Sequence, residues 1–194
     1  MPKKVLFAEG GGVDGLKSLH TSDKEGLGVL FEDEYGRIYR YVKNAGATSL
    51  QQSGVCLKKL GATTAKGTLQ RVLAPDAATG PATCMPSVIA GVPVTGIAPS
   101  GSATGDHGWI QVSGPAKVTM WQSATATQQE AGCLAIASGV TSAGVHCWDK
   151  PVTQVIDSTN GGSIWLNCVR LVESLATTGV ATAASAIVNI FCLN

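Results

Sequence analysis

Short apolar and β-branched runs recur along the chain with turn residues between them, as short strands do. The apolar run at residues 27–31 leads into Asp33-Glu34-Tyr35-Gly36, a turn signal. Arg37-Ile38-Tyr39-Arg40-Tyr41-Val42 follows, rich in β-branched and aromatic residues. This order predicts a hairpin, closed off by Lys43-Asn44-Ala45-Gly46. Short strands are predicted over residues 54–57, 68–73 and 92–98. The strongest β signal covers residues 109–121, where Ser113-Gly114-Pro115 makes either a hairpin or a bulged strand. Shorter strands are predicted at 132–137 and 145–148, a long apolar one at 163–173, and a last one at 186–193. The Ala-rich stretch 175–186 is ambiguous, and its Thr-Thr-Gly centre argues for a loop.

Nine or ten such strands predict an all-β fold, a small β-sandwich or β-barrel-like body. A length of 194 residues suits one domain. Residues 1–26, with Gly10-Gly11-Gly12 near their centre, predict an extended N-terminal arm. Residues 27–194 then form a single β-rich body. Within it, residues 75–93 carry Pro75, Pro81, Pro86 and Pro93, which predicts a long ordered surface loop suited to contact with a partner.

Charge refines this picture. Charged residues make up 14% of the chain, against about 25% in an ordinary soluble domain. Of the 27 charged side chains 16 lie within residues 1–60, and none follows Ser174. A body so poor in charge is expected to have much of its surface covered by neighbours. The net charge of +1 brings no basic stripe, so no nucleic-acid partner is expected. No apolar run approaches the roughly 18 residues of a membrane span, so no membrane partner is expected. The N-terminal apolar stretch is too short for a signal peptide, which points to synthesis and retention in a cytoplasm. Cys56, Cys84, Cys133, Cys147, Cys168 and Cys192 show no C-x-x-C spacing and read as reduced structural thiols.

Candidate chemistry is sparse. Asp106 and His107 are adjacent, but neighbours on a turn are expected to point apart, and no G-x-S-x-G elbow is present. His107 therefore reads as a turn residue. His146 and Cys147, with Asp149 and Asp157, have no recognisable metal-ligand spacing. Glu32-Asp33-Glu34 reads as a solvated hairpin turn without the pattern of a calcium loop. Gly10-Gly11-Gly12 lacks the ending of a P-loop. No catalytic residue, metal or cofactor is expected. On a strand, Arg37, Tyr39 and Tyr41 share one face while Ile38, Arg40 and Val42 share the other. A face of Arg and Tyr reads as an interface anchor, although a single-strand nucleic-acid binder would use the same residues.

Two segments carry a resemblance. Asp33-Glu34-Tyr35-Gly36-Arg37-Ile38-Tyr39-Arg40-Tyr41-Val42-Lys43-Asn44 resembles the D-G-R-x-Y-R-Y-V-K segment of small structural proteins of tailed phages. Gly108-Trp109-Ile110-Gln111-Val112-Ser113-Gly114-Pro115-Ala116 resembles their G-W-V-Q-V-x-G-P-A strand. Together the two cover about a tenth of the chain. The family is that of capsid decoration, or cement, proteins. The resemblance implies a non-enzymatic virion protein, made in the host cytoplasm and bound to the outer surface of an icosahedral head. Its expected partners are the major capsid protein and itself, as a homotrimer, with the arm lying over coat subunits. The candidate coat or subunit interface comprises Lys3, Lys4, Arg37, Tyr39, Arg40, Tyr41, Lys43, Trp109 and Gln111. The main alternative is a low-copy head-fibre or tail component for host attachment. A small hydrolase built on Asp106 and His107 is a further alternative.

Overall fold

Ten strands succeed one another along the chain: β1 (Leu30–Glu32), β2 (Ile38–Asn44), β3 (Cys56–Lys58), β4 (Arg71–Leu73), β5 (Ile89–Pro93), β6 (His107–Gln122), β7 (Ala135–Ile136), β8 (Trp148–Asp149), β9 (Val169–Leu171) and β10 (Thr182–Phe191). The computed structural model describes residues 15–54, 56–59, 70–74, 89–122, 135–136, 148–149, 169–171 and 182–192. Among these the only helical element is a 3-10 turn, Gly15–Lys17, and no helix is long and apolar enough to cross a membrane.

The strand pairings close on themselves. β2 pairs β4 in parallel, β4 pairs β3, β3 pairs β5 and β5 pairs β6, all three antiparallel. β6 returns antiparallel to β2, with Tyr41 opposite Trp109 and Arg40 opposite Ile110. The result is a five-stranded barrel, which removes free sheet edges around the core. β1 adds to β2 as the predicted hairpin. The sixteen-residue β6 outruns the barrel, and its far half pairs β10 over ten residues, from Thr182 opposite Gln122 to Phe191 opposite Ser113. β9 pairs β10, and β8 meets β6 in parallel at Met120.

The barrel interior holds Val42, Leu50, Cys56, Val72, Ala74, Ala90, Ile97, Ile110 and Val112. Asn44 also points inward and is fully buried. Its Nδ2 donates to the carbonyls of Thr48, Ile97 and Ala98, and its Oδ1 accepts from Gly46 N–H. One amide thus satisfies backbone groups of two loops that the barrel must cover.

Several expectations are resolved or corrected here. Of the hairpin and the bulged strand left open at Ser113-Gly114-Pro115, the bulged strand is found: the register against β2 slips by one residue between Gln111 and Ser113, and β6 runs on through Gly114 and Pro115 in unbroken register with β10. Gly114 has φ +88°, open to glycine, and Gln111 Nε2 donates to Ser113 O at 3.1 Å and Pro115 O at 2.8 Å, which fixes the kink. The strand expected at 92–98 lies earlier, as β5, inside the stretch expected to be a surface loop. Its five residues are all buried, as suits an apolar run covered on both faces, and Pro93 ends it because it lacks an N–H. Residues 75–88 lie outside the described residues. β10 begins at Thr182, within the stretch that argued for a loop. Its pairing with β6 overrides the weak strand propensity of Ala and Ser. The predicted strands at 132–137, 145–148 and 163–173 are described only at β7, β8 and β9.

Of the residues expected to form an N-terminal arm, only part is described. Residues 1–14 lie outside the described residues, but residues 15–26 lie on the barrel. Leu16 is buried, and His20 exchanges both backbone hydrogen bonds with His107 at 3.0 Å. Apolar Leu16, Leu19 and Leu27 give this segment something to bury, which its glycines obscured.

Candidate functional site

Side chains on β2 alternate between two covered faces. Ile38, Arg40, Val42 and Asn44 face the barrel interior, and Tyr39, Tyr41 and Lys43 face outward. On the outer face Tyr39, Tyr41 and Trp109 form a second buried cluster with Leu16, against which Leu27, Val29, Phe31 and Val94 pack. Their rings lie close, with Tyr41 and Trp109 centroids 5.3 Å apart and Phe31 edge-on to Trp109 at 6.4 Å. The chain covers this face with its own residues 15–31.

Polar groups fasten that cover at one end. His107 Nδ1 lies 2.6 Å from Asp106 Oδ1. A carboxylate only accepts, so the His107 proton sits on Nδ1. Asp106 Oδ2 accepts from Gly101 N–H at 2.9 Å and lies 3.5 Å from Lys43 Nζ. Burial pushes the Asp106 carboxyl up, but these donors outweigh it and hold the group below the ordinary carboxylate range. The His107 ring stacks on Tyr41 at 6.2 Å. Tyr41 Oη takes a hydrogen bond from the Lys24 N–H and shares a second hydrogen bond with His20 Nδ1 at 2.8 Å. Burial, with Asp23, Glu25 and Asp106 nearby, pushes the Tyr41 hydroxyl up to about 12. Gly105, at φ +104°, lets the covering segment approach: a Cβ there would meet Leu19 Cβ at 2.8 Å and His20 N at 3.0 Å.

The β1–β2 turn is held by one carboxylate. Asp33 Oδ1 accepts from the N–H groups of Tyr35 and Arg37, and Oδ2 from Arg37 Nε at 2.6 Å and Tyr39 Oη at 3.2 Å. Burial raises the Asp33 carboxyl, but the Arg37 and Tyr35 donors dominate and hold it low. The Arg37 guanidinium also lies 5.1 Å from the centre of the Tyr35 ring, and Tyr35 is 71% exposed.

The nine expected interface residues therefore fall into three sets. Lys3 and Lys4 lie outside the described residues. Tyr39, Arg40, Tyr41, Trp109 and Gln111 are buried within the chain, so they are interior residues rather than an available interface. Tyr39, Tyr41 and Trp109 lie under residues 15–31, Arg40 faces inward, and Gln111 holds the bulge. Arg37 and Lys43 remain partly exposed, engaged with Asp33 and Asp106. Asp106 and His107 do touch, contrary to the expectation that neighbours diverge, because His107 begins β6 rather than lying in the turn. Their contact joins β6, β2 and two loops. Sequence reasoning missed His20, Asn44 and Asp106 as organising residues, and no spacing in the chain signals them. Cys56 and Cys192 are buried, and burial pushes the Cys56 thiol up, away from its reactive form. The other four cysteines lie outside the described residues. No family's sequence profile matches this chain, and neither a curated protein nor a solved structure matches it.

Proposed function

We propose that this chain is a structural virion protein that binds the outer surface of an icosahedral phage head and stabilises its coat lattice. The major capsid protein and sister copies, in a homotrimer, are its partners in this reading. The observation that carries it is the relation between the two segments that resemble decoration proteins. They are more than sixty residues apart in sequence, yet they are register partners, with Tyr39 opposite Gln111, Arg40 opposite Ile110 and Tyr41 opposite Trp109. The resemblance thus falls on one packed unit rather than on two scattered matches.

The protruding β6–β10 ribbon adds support. β10 carries no charged residue, and Ile187 on it is 45% exposed. An uncharged strand with an exposed isoleucine suits contact with a neighbour. The mechanism is linkage: a protein that binds only the assembled lattice stabilises that lattice by mass action.

Copy number in the purified particle tests the proposal, measured against the major coat protein by quantitative mass spectrometry. A ratio near one per coat subunit is expected. A few copies per particle would overturn it in favour of a fibre or tail component, and absence from the particle would overturn both.

A further inference from the structure

The outer face of the barrel carries a row of cations. Lys43 on β2 stands opposite Arg71 on β4. Arg71 in turn stands opposite Lys59, whose N–H donates to the Arg71 carbonyl at 3.0 Å. Residues opposite one another in register point to the same side of a sheet. Val42, Val72 and Cys56 face inward, so by alternation Lys43, Arg71 and Lys59 face outward. The three positive charges thus lie side by side across three neighbouring strands. Like charges in such positions weaken a sheet. Asp106 answers Lys43. Lys59 Nζ donates to a carbonyl, that of Ala45. Among the described residues no carboxylate pairs with Arg71 or Lys59, and Arg71 is exposed.

The opposite charge stands at the other end of the same strand. β2 runs from the β1–β2 turn to Lys43, a span of about 20 Å at roughly 3.3 Å per residue. At the turn Asp33 is occupied by Arg37. Glu32 and Glu34 on either side are exposed, and among the described residues neither has a cationic partner. Each chain is therefore acidic at one end of β2 and cationic at the other.

We propose that the acidic β1–β2 turn of one copy docks on the Lys43–Arg71–Lys59 row of the next. The two surfaces differ, so the contact is head-to-tail and generates a ring where the rotation closes. Arg71 and Lys59 receive Glu32 and Glu34 of the neighbour, which relieves the like-charge row. This contact deepens the self-association part of the proposed function and rests on it.

Sedimentation of the full chain tests it at about 0.01 M and about 1 M salt, where screening runs from weak to nearly complete. The wild-type chain is expected to associate at low salt and dissociate at high salt. Arg71→Glu and the double variant Glu32→Lys/Glu34→Lys are each expected to be monomeric at low salt. An equimolar mixture of the two is expected to associate again, because each supplies the charge the other lost. Circular dichroism identifies any variant that does not fold; if Arg71→Glu fails, the double variant mixed with Lys59→Glu carries the test. A wild-type monomer at low salt, an association that survives reversal, or a folded mixture that stays monomeric would each overturn the contact. Association only on an added DNA oligonucleotide would overturn it in favour of a nucleic-acid partner. Particle copy number separates the two proposals: a monomer in solution found at one copy per coat subunit ends the head-to-tail contact and leaves lattice binding standing.

Discussion

The two faces of β2 and β6 are both buried, yet they differ in what buries them. Inward, Val42 and Ile110 belong to a cluster drawn chiefly from the barrel strands and the loops between them, with Val72, Ala90, Leu50 and Ile97. Outward, Tyr41 and Trp109 meet a segment that precedes the barrel and crosses its surface. The inner face is covered by topology, because closing the ring leaves its interior nowhere else to go. The outer face is covered by a separate piece of chain held by discrete bonds: the His20 bridge to His107, the Tyr41 hydroxyl, and the close pass over Gly105. Burial alone therefore does not distinguish a core from a surface the chain has covered for itself.

Paired truncations sharpen this contrast most. Trp109 and Ile110 are neighbours on β6, face opposite ways and are both fully buried. Trp109→Ala is expected to destabilise the isolated chain by about 4 kcal/mol, and Ile110→Ala by about 3 kcal/mol. Urea unfolding of both variants measures this. A near-neutral Trp109→Ala would mean that the outer face is not held closed in the free protein.

Alkaline pH acts mainly on the outer face. The hydroxyls of Tyr39 and Tyr41 are each pushed up to about 12, chiefly by burial. A raised pKa in the folded state contributes stability that is complete below the unfolded value of about 10. Stability is therefore expected to fall from pH 10 upward and to be lost through about 12. Thermal melts across that range measure it, and tyrosinate absorbance lagging behind that of free tyrosine identifies the groups. Gly105→Ala forces a side chain into a positive φ and against Leu19, and is expected to cost about 2 kcal/mol. Tyr41→Phe keeps the ring but removes the bond to His20, and is expected to cost about 1 kcal/mol. Comparing Tyr41→Phe with the double variant that adds His20→Ala in a double-mutant cycle isolates that bond.

The contrast also marks what the sequence conveyed. The hairpin, β6 and the all-β class were legible because period-two alternation and turn residues are local signals. Alternation showed that Tyr39 and Tyr41 share a face. It gave no sign of what lies on that face, so an Arg- and Tyr-bearing strand read as an interface. Leu16, Leu19 and Leu27 are spaced irregularly among Gly and charged residues, a pattern with neither helix nor strand period. β5 lies in a stretch punctuated by Pro75, Pro81, Pro86 and Pro93, which are loop signals, so the local pattern hides its apolar run. Asn44 and the Asp106–His107 contact depend on pairings across the barrel between residues more than fifty positions apart, which no local pattern encodes.

Native-state hydrogen exchange tests most directly whether residues 15–31 are a built layer of the fold. The amides of His20, which donates to His107, and of Gly28, which donates to Tyr41, report on the cover. The amides of β2 and β6 inside the barrel report on the core. Cover and core amides are expected to open together, with free energies near that of global unfolding. Exchange of His20 and Gly28 at the rate of a solvated loop, with the barrel still protected, would contradict the account and return Tyr39, Tyr41 and Trp109 to the available surface.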